Sequence, residues 1–295
     1  MLESLLYPNT VAVIGASRSP GKVGHAVVVN LINSGYQGAI IPVNPQAGTV
    51  LGLPCYASLE AYGQPIDMAV IVVPPPAVKP ALESAIRAGA KAVVVITAGF
   101  KEVGPEGAAM EQELVALCTN AGVRLMGPNC LGVLNMHHRM NATFTASQPP
   151  VGGISVISQS GALCVAILDW AVKEKLGLGK VISIGNKADL NEADFLQALA
   201  EDPDTKVIAS YLENIEDGNK FLQVAEEAAG IKPVVILKVG VTQAGAKAAS
   251  SHTGSLAGAD MAYGAAFKRA GVIRAENFEQ LFDFARAFVA QPLPQ

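Results

Sequence analysis

Short runs of β-branched and aliphatic residues, each closed by a turn and followed by a helix-length stretch, recur along the whole sequence. That rhythm restricts the fold more than any other feature. In the first half the runs occupy residues 11–14, 39–43, 67–73, 92–97 and 124–126, and they close on Gly15, Asn44-Pro45, Pro74 to Pro76, the stretch after Thr97, and Gly127-Pro128-Asn129. Helices are predicted at 24–32, 78–88 and 105–120, the last with Pro105 in its first turn and Gly122 just past its end. The runs are continuously apolar and do not alternate, so both faces of each strand need cover. A parallel sheet with helices on both sides provides it, and a Rossmann-like domain is expected over residues 1–128.

The rhythm lapses from Met136 to Gly153, where polar residues with Pro149, Pro150, Gly152 and Gly153 predict a connector, placed at 129–150. It restarts over 151–295, with strands at 154–157, 181–184, 207–212, 234–238 and 271–274 and helices between and after them. A second open parallel sheet is expected there. The length of 295 residues agrees with two domains.

Composition removes several function classes. Apolar residues make up 51% and charged ones 16%, which excludes a disordered chain. The net charge of −4 leaves no basic footprint for nucleic acid. The longest apolar runs, such as 68–73, fall far short of the ~20 residues of a membrane helix. Glu3 stands where a secretory leader carries Lys or Arg, so a soluble, cytoplasmic protein is expected. Cys55, Cys118, Cys130 and Cys164 include no C-x-x-C and read as reduced core thiols. His25, His137, His138 and His252 show no HxxxH or HExxH spacing, and no metal site is expected.

Open parallel sheets bind ligands beyond the carboxyl ends of their strands. The first such turn, GASRSPGKVG, is glycine-rich and opens a helix, so its amides can take a phosphate. It is not G-x-G-x-x-G, because Ala16 and Ser17 follow Gly15, and it is not a P-loop, because Val23 follows Lys22. A nucleotide-like anion and a ligand-free helix entry both fit it. In the second half, Ser158-Gln159-Ser160-Gly161 leads from a strand into a helix that is apolar nearly all round, Trp170 included, and is expected to be buried. Its start would cradle phosphate, although Ser160 also suits a plain helix cap. The loop ASSHTGSLAGAD sets His252 among Ser251, Thr253 and Gly254, and Glu213 in YLENIED follows another strand of the same sheet. A histidine in such a loop can be structural. With a carboxylate fixing one ring nitrogen, the other becomes more basic, and with helix amides on the same rim the group suits a phosphohistidine.

The order GASRSPGKVG, VNP, VVPPP, ITAGF, GPNCLGV, SQSGAL, IGNKADL, YLENIED and SSHTGSLAG resembles the α subunit, or α-like half, of the nucleoside-diphosphate-forming acyl-CoA synthetases. These include the ADP-forming acetyl-CoA synthetases and, more distantly, succinyl-CoA synthetase. The resemblance implies a CoA-binding Rossmann-like domain followed by a flavodoxin-like, succinyl-CoA ligase-like domain. CoA contacts would fall on Gly15, Ser17, Arg18, Ser19 and Lys22, then Val43, Asn44 and Pro45, Val73 and Pro74, Thr97, Ala98 and Gly99, and Asn129. His252 matches the phosphorylated histidine, Glu213 the glutamate that steadies it, and Ser158, Gln159, Ser160 and Gly161 the phosphate-binding helix start. The implied chemistry interconverts acyl-CoA, phosphate and ADP with a carboxylic acid, CoA and ATP through acyl phosphate and phosphohistidine. ADP or ATP with Mg would sit on an ATP-grasp partner subunit or domain, which nothing in this sequence resembles. Hetero-oligomers of αβ pairs, able to associate further, are implied as well. Many members carry another small domain after the second sheet, and as this sequence ends in AFVAQPLPQ, that domain is expected either beyond the given stretch or on the partner.

Three rival readings remain, one of them a purely structural subunit with no ligand, which would leave the phosphate-suited loops without a purpose. A CoA- or acyl-CoA-sensing regulatory module of a protein acyltransferase shares the same two-domain region, but there the histidine is commonly replaced, whereas His252 and Glu213 are both present here. A nicotinamide-dependent dehydrogenase would need G-x-G-x-x-G and an acidic residue where Asn44 stands.

Overall fold

The Val, Ile and Ala runs of the first half form a five-stranded sheet, parallel throughout, in a computed structural model that describes residues 2–46, 48–240 and 260–292. The chain divides into two compact units, one from residues up to 148 together with 183–190, the other from 149–182 and from 191 onward.

In the first unit the elements run α1 (Glu3–Leu6), β1 (Thr10–Ile14), α2 (Val23–Asn33), β2 (Ala39–Val43), β3 (Thr49–Val50), β4 (Leu53–Pro54), α3 (Leu59–Tyr62), β5 (Met68–Ile71), α4 (Pro75–Arg87), β6 (Ala92–Val95), α5 (Pro105–Ala121), β7 (Arg124–Met126), β8 (Gly132–Asn135) and β9 (Met140–Thr143). The sheet order is β2-β1-β5-β6-β7, with Ile14 level with both Val43 and Ile71. Strand connections leave β1 in opposite directions, so the crevice of a doubly wound sheet opens at the carboxyl ends of β1 and β5. Ala12, Ile41, Ile71, Leu82, Val93 and Leu125 fill one core, as strands covered on both faces require.

Two local expectations change. The prolines after β5 were expected to close a strand, and instead Pro75 starts α4 three residues ahead of the predicted helix. Proline costs nothing at a first helical position, where the amide has no partner in any case. The stretch read as a connector contains the antiparallel hairpin β8–β9. Its polar residues are buried and satisfied from elsewhere: Asn30 Nδ2 donates to the Thr143 and Thr145 carbonyls at 2.8 and 2.7 Å, and Asn135 Nδ2 to that of Leu6 at 2.8 Å. Such strands carry no apolar periodicity for a sequence reading to find.

The second unit runs β10 (Val151–Ser158), α6 (Gly161–Lys173), β11 (Leu178–Ser183), α7 (Glu192–Glu201), β12 (Val207–Leu212), α8 (Gly218–Ile231), β13 (Val234–Lys238), α9 (Asp260–Arg269), β14 (Ile273–Ala275) and α10 (Phe278–Ala290). Its strands lie in the order β14-β13-β12-β10-β11, and β10, β12, β13 and β14 are parallel. Helix α6, expected to be buried all round, buries one face only, through Cys164, Ile167, Leu168 and Ala171. Trp170 is half-buried against Phe278 and Phe282 of α10, with ring centroids 5.9 and 4.9 Å away.

Candidate functional site

Every CoA-contact residue implied by the sequence lies along the carboxyl edge of the first sheet, and backbone bonds sew that edge into one rim. Gly15 N donates to Val43 O at 3.0 Å, Val72 N to Ile14 O at 2.9 Å, and Asn129 N to Thr97 O at 3.0 Å. The Thr97 hydroxyl adds a bond to Val73 O at 2.7 Å. Gly15 takes φ +97°, and a Cβ there would meet Val73 and Val72 at 3.0 and 3.1 Å. A Cβ on Gly24 would fall well under 3.0 Å from the Gly15 carbonyl oxygen, so α2 starts hard against the end of β1 only because that residue has no side chain.

The turn between them presents Arg18, Ser19 and Lys22 outward. Lys22 occupies the cap position of α2 and makes no side-chain cap bond, and the helix start, with Arg18 and Lys22 beside it, is suited to an anion. His25 Nδ1 donates to Ser17 O at 3.0 Å and shapes the turn from behind. Asn44 also works from within, donating to Ala16 O at 2.7 Å and accepting from Gln46 N at 2.8 Å. Val43 is buried, and Pro45, Pro74 and Ala98 are exposed, with Val73, Thr97, Gly99 and Asn129 half-buried between.

Sequence reasoning missed the residues that brace this rim. Glu102 Oε1 accepts from Gly99 N at 2.5 Å and Phe100 N at 3.2 Å, and Asn186 reaches both Glu102 and Glu111. Asp189 pairs with Arg124 through two bonds of 3.0 and 3.1 Å and also accepts from Leu125 N at 2.8 Å. Apart from the local bonds of Glu102 to Gly99 and Phe100, these contacts join residues distant in the chain and have no local spacing.

In the second unit β10 ends at Ser158, whose hydroxyl bonds to Ser160, and the Ser160 hydroxyl caps α6 by accepting from Leu163 N at 3.3 Å. That leaves the amides of Gly161 and Ala162 as the first-turn donors of α6. Gln159, expected to contact phosphate, makes four side-chain bonds within the protein. Its Oε1 accepts from Glu213 N at 2.6 Å and Asn214 N at 2.9 Å, while Nε2 donates to Asn214 O at 2.7 Å and Glu192 at 3.4 Å. The amide is spent holding the turn after β12 against the end of β10. Glu213, only 9% exposed, is thereby fixed at the carboxyl edge.

Lys238, another residue the sequence did not single out, ends β13 at 3% exposure. Its Nζ donates to Glu213 O at 2.7 Å and Val239 O at 2.5 Å and lies 4.5 Å from the centre of the Tyr263 ring. Burial pushes the Tyr211 phenol up, with the Glu213 carboxylate adding to the shift. Burial likewise raises Tyr263 against the pull of the Ile215 amide. The Tyr211 shift places that ring, part-buried, within reach of the Glu213 charge. Ser251, His252, Thr253 and Gly254 lie outside the described residues.

Comparison with known proteins gives two domain matches: a CoA binding domain over residues 9–136 and a succinyl-CoA ligase like flavodoxin domain over residues 151–288. The chain is 51% identical over 284 residues to the ADP-forming acetate–CoA ligase I of Archaeoglobus fulgidus, covering 96% of this chain and 41% of that protein. It is 45% identical over 298 residues to the α subunit of ADP-forming acetate–CoA ligase I of Pyrococcus furiosus, covering 100% of this chain and 64% of the relative. Among solved structures, a dinucleotide-forming acetyl-coenzyme A synthetase 1 of Ca. Korarchaeum cryptofilum, in complex with phosphate and ADP, superposes with a TM-score of 0.96 at 41% identity. That match covers 100% of this chain and 64% of the solved one. The chain thus spans less than two thirds of the length of these relatives.

Proposed function

This chain belongs to the family of the nucleoside-diphosphate-forming acyl-CoA synthetases and matches its α-subunit part, and from that membership we propose that it carries the acyl and phosphoryl half of an ADP-forming acyl-CoA synthetase. Residues 1–128 form its CoA-binding domain and residues 151–295 its ligase domain, joined through 129–150. CoA lies along the rim from Gly15 to Asn129, with its phosphates at the start of α2 beside Arg18, Ser19 and Lys22. Inorganic phosphate sits at the start of α6, on the Gly161 amide and the serines before it.

Phosphate oxygen attacks the thioester carbonyl, the C–S bond breaks, and acyl phosphate and CoA thiolate result. A ring nitrogen of His252 then attacks phosphorus and releases the carboxylate. The phosphoryl group finally passes to ADP, bound with Mg on an ATP-grasp partner subunit or domain in a cytoplasmic hetero-oligomer. The protein contributes one nucleophile, positioning and donors for developing charge. A small carboxylic acid such as acetate is the acyl substrate.

The observation that carries this reading is the buried, doubly tethered Glu213. Its backbone is held at a strand end, the amide by Gln159 and the carbonyl by Lys238, which fixes where the carboxylate starts, and in this reading the carboxylate orients a base beside it. Val239 N donates to Leu212 O at 3.0 Å, so the chain that leads on to His252 leaves β13 at the edge where Glu213 sits. The test is labelling of the purified chain with radioactive phosphate and acetyl-CoA, followed by mapping of acid-labile, base-stable label. Label is expected on His252, absent in His252→Ala with CoA binding intact, and slower to form in Glu213→Gln. Label of normal extent in His252→Ala would remove the histidine from the mechanism.

A further inference from the structure

One amide group bridges two carboxylates beneath the rim of the first unit. Asn186 Nδ2 donates to Glu102 Oε2 at 2.6 Å and to Glu111 Oε2 at 2.8 Å, one hydrogen to each. Its Oδ1 faces Asn129 Nδ2 at 3.3 Å, and its backbone amide is anchored on Pro128 O at 2.9 Å. The two carboxylates leave the amide no alternative orientation, because a flipped side chain would set oxygen against oxygen.

What the carboxylates do on their other sides gives the bridge its meaning. Glu102 takes the amides of Gly99 and Phe100, and Glu111 takes that of Lys101 at 3.3 Å, so three consecutive amides of the loop after β6 hang from this pair. Gly107 admits the approach, since any Cβ there would collide with the Phe100 carbonyl. We propose that Asn186 is a positioning residue for the CoA-facing loop 97–101, holding Glu102 and Glu111 together so that the loop keeps one shape. The inference rests on the reading that this loop faces CoA. It adds a residue outside the CoA-binding stretch of the sequence that acts through two others.

Without the bridge, two carboxylates face each other with too few donors. The charged groups facing Glu111 are Lys101 and Glu102. On the neighbouring elements, Lys79 of α4 is taken by Glu113 and Arg124 of β7 by Asp189, so neither can replace the amide. A proton can. Protonated Glu111 would itself donate to Glu102, and the loop should recover in acid.

Asn186→Ala should therefore weaken CoA about tenfold or more at pH 8, measured by titration calorimetry on the full chain, and most of the loss should vanish at pH 5.5. Asn186→Asp, which adds a third acceptor, should lose at least as much at pH 8. Amide resonances of Gly99 and Phe100 give a second readout that needs no CoA: their pH titration should move to higher pH in Asn186→Ala than in the parent chain. Equal CoA losses at both pH values, or unchanged amide titration, would overturn the proposal. A parent chain that fails to bind CoA would reject the reading of the rim, and the amide titration would then decide the role of Asn186 alone.

Discussion

Gln159 serves four bonds with a single amide, two accepted and two donated, and all of them lie between strand ends that support Glu213. Replacing it by alanine leaves the Glu213 and Asn214 amides buried without their acceptor, and such groups cost about 1–3 kcal/mol each when stranded. Gln159→Ala should lower stability by about 2–4 kcal/mol in urea unfolding, with an unchanged slope. Gln159→Glu keeps the acceptor, loses the donor and sets a carboxylate against Glu192, so its penalty should be larger at pH 8 than at pH 5. Glu111 gives a second pH signature. Burial pushes its carboxyl above the ordinary range, although the Asn186 and Lys101 amides pull the other way. Burial also pushes Glu102 up, but there the donors from Asn186, Gly99 and Phe100 win and hold it below the ordinary range. A group raised by folding stabilises the native state fully below its unfolded value and loses that contribution as pH rises through its folded value. Glu111→Gln keeps the acceptor oxygen and drops the charge. It should gain stability over the parent chain at pH 8, with the gain shrinking toward pH 4.5, and an equal gain at both would disprove the raised carboxyl.

Two glycines in one turn separate what a missing side chain does for packing from what it does for backbone shape. Gly24 sits inside a helix and is needed for the contact of α2 with β1, whereas Gly21 has φ +85° and nothing within 4 Å of where a Cβ would stand. Gly24→Ala should force α2 away from the strand, costing about 2–3 kcal/mol in unfolding and most of the CoA affinity. Gly21→Ala should cost only about 1–2 kcal/mol, the penalty of a left-handed residue. Comparable CoA losses in both would mean that helix approach does not set the anion site. The glycine-rich turn was legible in the sequence because its residues are contiguous, and so were the strands of both sheets, whose continuous apolar runs are dictated by cover on two faces. The hairpin β8–β9 was not, because its polar residues are buried, Asn135 by a bond to the Leu6 carbonyl and the Thr143 carbonyl by one from Asn30, while Asn141 and Thr143 bond each other. The same physics divides the candidate site. Glu213 and the α6 start show themselves by falling just after strands, but the links of Asn186 to Glu102 and Glu111 and of Lys238 to Glu213 are tertiary hydrogen bonds. Gln159 fell after a strand too, and its part in holding the turn could be seen only once its amide had partners.

The division of labour between this chain and its proposed partner follows from where the chemistry of each step lies. In the proposed mechanism thioester phosphorolysis uses the CoA rim and a phosphate cradle and no nucleotide. Phosphoryl transfer to histidine would, in the same proposal, use Glu213 and the α6 start. In the proposed mechanism delivery to ADP alone calls for a nucleotide site, which the proposal assigns to a partner; the chain spans 41% of one relative and 64% of another. Each step is reversible, so partial reactions can be read by isotope exchange. With this chain alone, labelled CoA should exchange into acetyl-CoA only when phosphate is present, because the thioester must pass through acyl phosphate to release CoA. Labelled ADP should not exchange into ATP until an ATP-grasp polypeptide is added, and that exchange should vanish in His252→Ala while phosphate-dependent CoA exchange persists. CoA exchange without phosphate would point to a covalent acyl-enzyme in place of acyl phosphate. ADP exchange by the chain alone would place a nucleotide site within these 295 residues and undo the proposed division.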